Sequence, residues 1–129
     1  MGEATEKKVG ESDLFKLGKQ CVEDSERWFG DQAIVYSIPH HTLALAGEVG
    51  ELANIVKKID RGSLDIKDAN VRYQLMMETT DVFVYLLNIA GLLSLDLEKS
   101  YLHVRSLNEQ RFIEQRRERE TRNGNGRSS

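Results

Sequence analysis

Between Leu14 and Ile113, apolar residues recur at spacings of three and four, and strand-like alternation is scarce, so the chain reads as all-α. The first predicted helix takes Ser12 or Asp13 as its N-cap, sets Leu14, Leu17, Cys21 and Trp28 on one face, and ends near Gly30. Residues 30 to 38 form a connection. The second starts around Pro39, a residue suited to a first turn, and runs to about Arg61, where Gly62 stops it. Beyond a loop from Gly62 to Ala69, the third spans about Asp68 to Leu93, with Ser94 or Asp96 as the next N-cap. The fourth runs from about Leu97 to Arg117, with Leu97, Tyr101, Val104, Leu107 or Asn108, and Phe112 at helical spacing. Met76 and Met77 read as core.

The periodic region defines one all-α domain over residues 12–115. Residues 1–11 are polar and aperiodic, and residues 116–129, RRERETRNGNGRSS, have almost nothing to bury, so a mobile N-terminal segment and a disordered polar tail are expected. At 129 residues the chain suffices for a single hydrophobic core.

Composition narrows the partners. Lys and Arg total 18 against 21 Asp and Glu, a net charge of -3, and no basic block would track a nucleic-acid duplex. The lone cysteine, Cys21, cannot form an internal disulfide, and MGEATEKKVGE lacks an apolar secretory run, so a reducing, cytoplasmic setting is expected. Met1-Gly2 does not make a myristoylation motif, because the sixth position is Glu6. The longest apolar run, Val82 to Leu95, is broken by Asn88 and Ser94 and falls short of the roughly 18–20 residues that span a bilayer. A buried helix rather than a membrane anchor is expected.

Against this background, two acid pairs stand out: Glu48-x-x-Glu51 within LALAGEVGELANIV, and Glu78-x-x-Asp81 within METTDVFVYLLNIAGLL. Residues three apart share a helix face, so each pair projects together. Extended in helical steps, the stripes read His41, Glu48, Glu51, Asn54 and Lys58 on one helix, and Gln74, Glu78, Asp81, Tyr85 and Asn88 on the next. Carboxylates withdrawn from water require a partner charge, hydrogen bonds or a cation. All-oxygen donors favour a hard cation, Mg2+ or Mn2+, when phosphates complete the shell. No Glu-x-x-His occurs, and His40, His41 and His103 lack zinc spacing, which sets iron and zinc aside. Gly47 and Gly50 flank Glu48 and leave room for another backbone to approach.

HTLALAGEVGELANIVKKI, METTDVFVYLLNIAGLLSLDLEKSY and LNEQRF, together covering roughly residues 38–112, resemble the MazG-like, all-α nucleoside triphosphate pyrophosphohydrolase family and its dCTP pyrophosphatase branch. The family pattern is Glu-Glu-x-x-Glu, a spacer, then Glu-x-x-Asp. Glu48, Glu51, Glu78 and Asp81 match its last four acids, and Gly47 replaces the first. The resemblance implies a four-helix MazG-like bundle, magnesium held by these four acids, and hydrolysis of a nucleoside or deoxynucleoside triphosphate to the monophosphate and pyrophosphate. It also implies a homodimer or homotetramer. The family's asparagine, arginine and aromatic fall on Asn108, Arg111 and Phe112, while its lysine position is Val104.

Glu51 or Glu48 is then the group that orients or deprotonates the attacking water. Lys58 is placed to reach phosphates, Asn108 and Arg111 to bind substrate, and His41, Trp28 and Tyr85 to meet the base. Each has a plainer reading: Lys57 and Lys58 as solvated lysines at a helix end, Trp28 and Phe29 as core, His40 and His41 as a wet helix start, Tyr85 and Asn88 as buried hydrogen-bonders. Two other functions share the pattern: phosphoribosyl-ATP pyrophosphohydrolysis, and a non-catalytic helical module that binds nucleotide or protein.

Overall fold

A computed structural model describes residues 10–30 and 32–126. It consists of helix α1 (Asp13–Phe29), a 3-10 turn (Ala33–Tyr36), α2 (Ile38–Asp60), α3 (Ala69–Leu93) and α4 (Leu97–Asn125), with no strand among the described residues. The all-α expectation holds. Two compact units result, one through Asp96 containing α1 to α3 and the other from Leu97 containing α4.

Polar side chains set the helix starts. Ser12 Oγ accepts from Phe15 N at 3.1 Å, Ser37 Oγ from His40 N at 3.2 Å, and Asp68 Oδ1 from Asn70 N at 2.8 Å. Each satisfies an amide that has no partner within its helix. Pro39 sits in the first turn of α2, where its missing N–H costs nothing. Gly62, at φ 81°, turns the chain out of α2 in a conformation that disfavours side chains. Of the two N-caps expected for α4, Asp96 immediately precedes the helix, whereas Ser94 closes α3 in the left-handed region (φ 53°, ψ 42°).

Within the first unit, α3 packs against both α1 and α2. The α1–α3 crossing depends on two glycines. A Cβ on Gly91 would overlap Gly18 O and lie 2.8 Å from Val22 Cγ2, so the two backbones touch directly. Polar ties flank this crossing. Ser12 Oγ donates to Asp96 Oδ1 at 2.6 Å, Lys19 Nζ donates to Gly91 O at 3.2 Å and Ser94 Oγ at 2.7 Å, and Ser25 Oγ donates to Asn88 Oδ1 at 3.3 Å. The predicted apolar face of α1 is met in part. Leu14 and Cys21 are half-buried on the stripe that contains the buried Gly18, whereas Leu17 and Trp28 are exposed.

Among the described residues the buried apolar side chains are few: Val35, Val71, Leu87 and Ala90. Leu43, Val56, Tyr73, Phe83 and Leu86 remain exposed, and so do Met76 and Met77, which corrects their reading as core. By length and composition α3 is apolar enough to cross a bilayer, which the unbroken-run criterion missed because it excludes the first half of the helix. The core helix of a soluble protein has the same composition, but only 22 % of this apolar window is buried, so the helix expected to be buried is instead largely exposed, although it packs against both α1 and α2.

Helix α4 extends to Asn125, beyond the expected end at Arg117, so residues expected in an unstructured tail from Arg116 are helical. Arg116 and Glu120 pair at 3.1 Å across one turn, the spacing that supports an exposed helix without a buried face. Most of the predicted N-terminal segment, residues 1–9, lies outside the described residues.

Candidate metal and ligand site

The acid pairs of α2 and α3 meet. One carboxylate oxygen each from Glu48, Glu78 and Asp81 lies within 4.8 Å of the others, and Glu51 is near enough for its charge to act on both Glu48 and Glu78. Helical spacing accounts for this: three-residue steps on two packed helices bring both pairs to one seam.

Glu48 and Glu78 are only partly buried as residues, yet the Oε2 oxygen of each is covered and has no hydrogen-bond partner. Burial pushes both carboxyls above the ordinary range, and neighbouring negative charge adds to it, from Glu51 and Asp81 at Glu48 and from Glu51, Glu48 and Asp81 at Glu78. A divalent cation would remove that penalty. Oxygens on opposite sides of such an ion lie about 4 Å apart for magnesium and about 5 Å for calcium, twice their bond lengths. The oxygen-only donor set and its spacing fit a hard cation.

One to two turns along the same helix pair lies a cavity of about 390 Å³. Trp28, Phe29, Val35, His41, Tyr85 and Asn88 contribute to its wall. Tyr85 is four residues after Asp81 and Asn88 seven, about 6 and 10 Å along α3 at 1.5 Å per residue. His41 is 6 % exposed; its Nε2 donates to Val35 O at 2.8 Å, and its ring centroid is 6.1 Å from that of Tyr85. Trp28 is 65 % exposed at the end of α1, so it forms rim rather than core.

The four acids thus come together, as do His41, Tyr85 and Trp28. Lys58 stands seven residues past Glu51, about 10 Å along α2, and is not part of the cavity wall. Asn108 and Arg111 belong to α4, where Arg111 lies 5.1 Å from the Phe112 ring centroid. Among the described residues, no other element comes within 4 Å of a Cβ built at Gly47 or Gly50.

Ser25, Ile34 and Val35 were missed as cavity residues. The apolar Ala33–Tyr36 segment inside a supposed connection was the available signal, since an exposed loop has no use for three consecutive large apolar residues. No protein-family model and no curated protein sequence matches this chain.

Proposed function

We propose that this chain is a magnesium-dependent nucleoside triphosphate pyrophosphohydrolase, as its resemblance to MazG-like enzymes implies, with manganese as an alternative ion. One observation carries the reading: a seam of carboxylates with unpartnered buried oxygens lies one to two helical turns from an aromatic-lined cavity on the same helices. That separation suits a molecule with a planar ring at one end and a polyphosphate at the other.

Glu48, Glu78 and Asp81 hold the cation, with Glu51 beside them. A bound magnesium ion supplies phosphate-oxygen binding and charge neutralisation. Glu51 is exposed and outside the three-oxygen group, so its carboxylate is available to take a proton from the attacking water. Water oxygen bonds to the α-phosphorus, the bond to the α,β-bridging oxygen breaks, and pyrophosphate leaves with that electron pair. The aromatic wall orients the base. The exposed apolar residues of α2 and α3 support an oligomeric enzyme, a homodimer or homotetramer.

Pyrophosphate release from a panel of NTPs and dNTPs with magnesium tests this. Glu48→Gln and Glu78→Gln are expected to lose at least about 100-fold in turnover, the scale of losing a transition-state charge stabiliser. Turnover equal to that of the unaltered chain in both variants would refute the assignment.

A further inference from the structure

The end of α4 carries two asparagines in the run Asn123-Gly124-Asn125-Gly126. The others, Asn54, Asn70, Asn88 and Asn108, precede Ile55, Val71, Ile89 and Glu109, whose side chains obstruct the amide that follows each asparagine. At Asn123 and Asn125 the next residue has no Cβ, so the backbone can bend until its amide nitrogen meets the side-chain carbonyl carbon.

Helix α4 sets the two sites apart. Asn123 and Gly124 lie inside it, where the Gly124 amide is committed to the carbonyl one turn back and is held away from the Asn123 side chain. Asn125 is the last helical residue. Gly126 lies beyond it, and among the described residues no backbone hydrogen bond leaves its amide. Both asparagines are exposed and α4 buries no residue, so backbone bonds alone hold the final turn, which opens readily.

We propose that Asn125 is a site of spontaneous deamidation and that its conversion opens Asn123 to the same reaction. Gly126 N gives up its proton and bonds to Asn125 Cγ, the Cγ–Nδ2 bond breaks, and ammonia leaves with a proton, closing a succinimide. Water then opens the ring at either carbonyl to give aspartate or isoaspartate; no oxidant or reductant takes part. The product places a negative charge at the end of the helix where unsatisfied carbonyls already concentrate negative potential. The last turn then unwinds more often and frees the Gly124 amide for attack on Asn123. Because the two dipeptides are identical, the helix alone sets their order.

Ageing the full chain in mildly alkaline buffer, with peptide mapping by mass spectrometry at intervals, reads each asparagine separately. Asn125 is expected to convert first and Asn123 after a lag, while in urea the two rates converge. Asn125→Asp is expected to speed conversion of Asn123 by about two- to fivefold, the scale of one charge acting on a helix end. Gly126→Ala fits the fold, since its Cβ would meet Arg122 O at 3.7 Å and Asn123 O at 3.9 Å, ordinary contact distances. It is expected to slow Asn125 by at least about threefold through lost backbone freedom, and Asn123 with it. Conversion of Asn123 as fast as Asn125 in the folded chain, an unchanged Asn123 rate in Asn125→Asp, or no conversion at Asn125 would overturn the proposal.

Discussion

Alanine at Gly91 tests whether α1 and α3 meet through bare backbone. The added Cβ would overlap Gly18 O, stand 2.6 Å from Gly18 C and 2.8 Å from Val22 Cγ2, and two of those three atoms are backbone that cannot rotate away. Overlap with fixed backbone sits at the upper end of the usual overpacking cost, about 3 kcal/mol. Replacing a helical glycine returns at most about 1 kcal/mol of helix propensity. The net loss is about 2 kcal/mol. An unfolding entropy of about 2.1 cal/mol/K per residue over 129 residues makes each kcal/mol worth about 4 °C, so Tm should fall by about 8 °C. Gly50 provides the control, because a Cβ there meets nothing within 4 Å. Gly50→Ala should raise Tm by about 2–4 °C through propensity alone. Thermal unfolding followed by circular dichroism, with size-exclusion chromatography on the same samples, reads both. An unchanged or raised Tm for Gly91→Ala would refute the direct crossing.

Further outcomes follow from the acid seam and the α1 cap. Glu48 and Glu78 hold their protons more tightly folded than at the ordinary value of 4.5, so their contribution to stability is full below that pH and is lost as pH rises through the raised folded values. In chelator-treated protein, the stability of Glu48→Gln/Glu78→Gln relative to the unaltered chain should therefore increase with pH above about 4.5, as urea titrations at several pH values would measure. Magnesium at 100 times its Kd should stabilise the unaltered chain by about 2.7 kcal/mol and leave the double variant unmoved in the same titrations. Ser12→Ala removes both the cap to Phe15 N and the bond to Asp96, and should cost about 1–2 kcal/mol in urea unfolding.

What the sequence made legible were features with a local cause. Ser12 caps α1 because a short polar side chain before an apolar run has few other uses, and Gly62 ends α2 because a left-handed residue is needed there. The acid seam was legible because three-residue spacing fixes a helix face and two such pairs fall on consecutive helices. Contacts between elements were less so. Gly18 and Gly91 carry no apolar signal, so spacing alone sets Leu17 and Trp28 beside Leu14 and Cys21 on the face of α1 and does not reveal the crossing. Met76 and Met77 read as core because periodicity identifies apolar faces, not which faces the rest of the chain covers. The bond of His41 to Val35 depends on the Ala33–Tyr36 turn, which hydrophobic spacing alone does not distinguish from a connection.

The reaction itself gives the most direct test. Phosphorus NMR of the full chain incubated with a nucleoside triphosphate and magnesium distinguishes cleavage at the α-phosphorus from cleavage at the γ-phosphorus and from no reaction. Monophosphate and pyrophosphate signals are expected to grow in equal amounts and to be suppressed by a chelator. Diphosphate with free phosphate, or an unchanged spectrum across all common nucleotides, would contradict the pyrophosphohydrolase assignment.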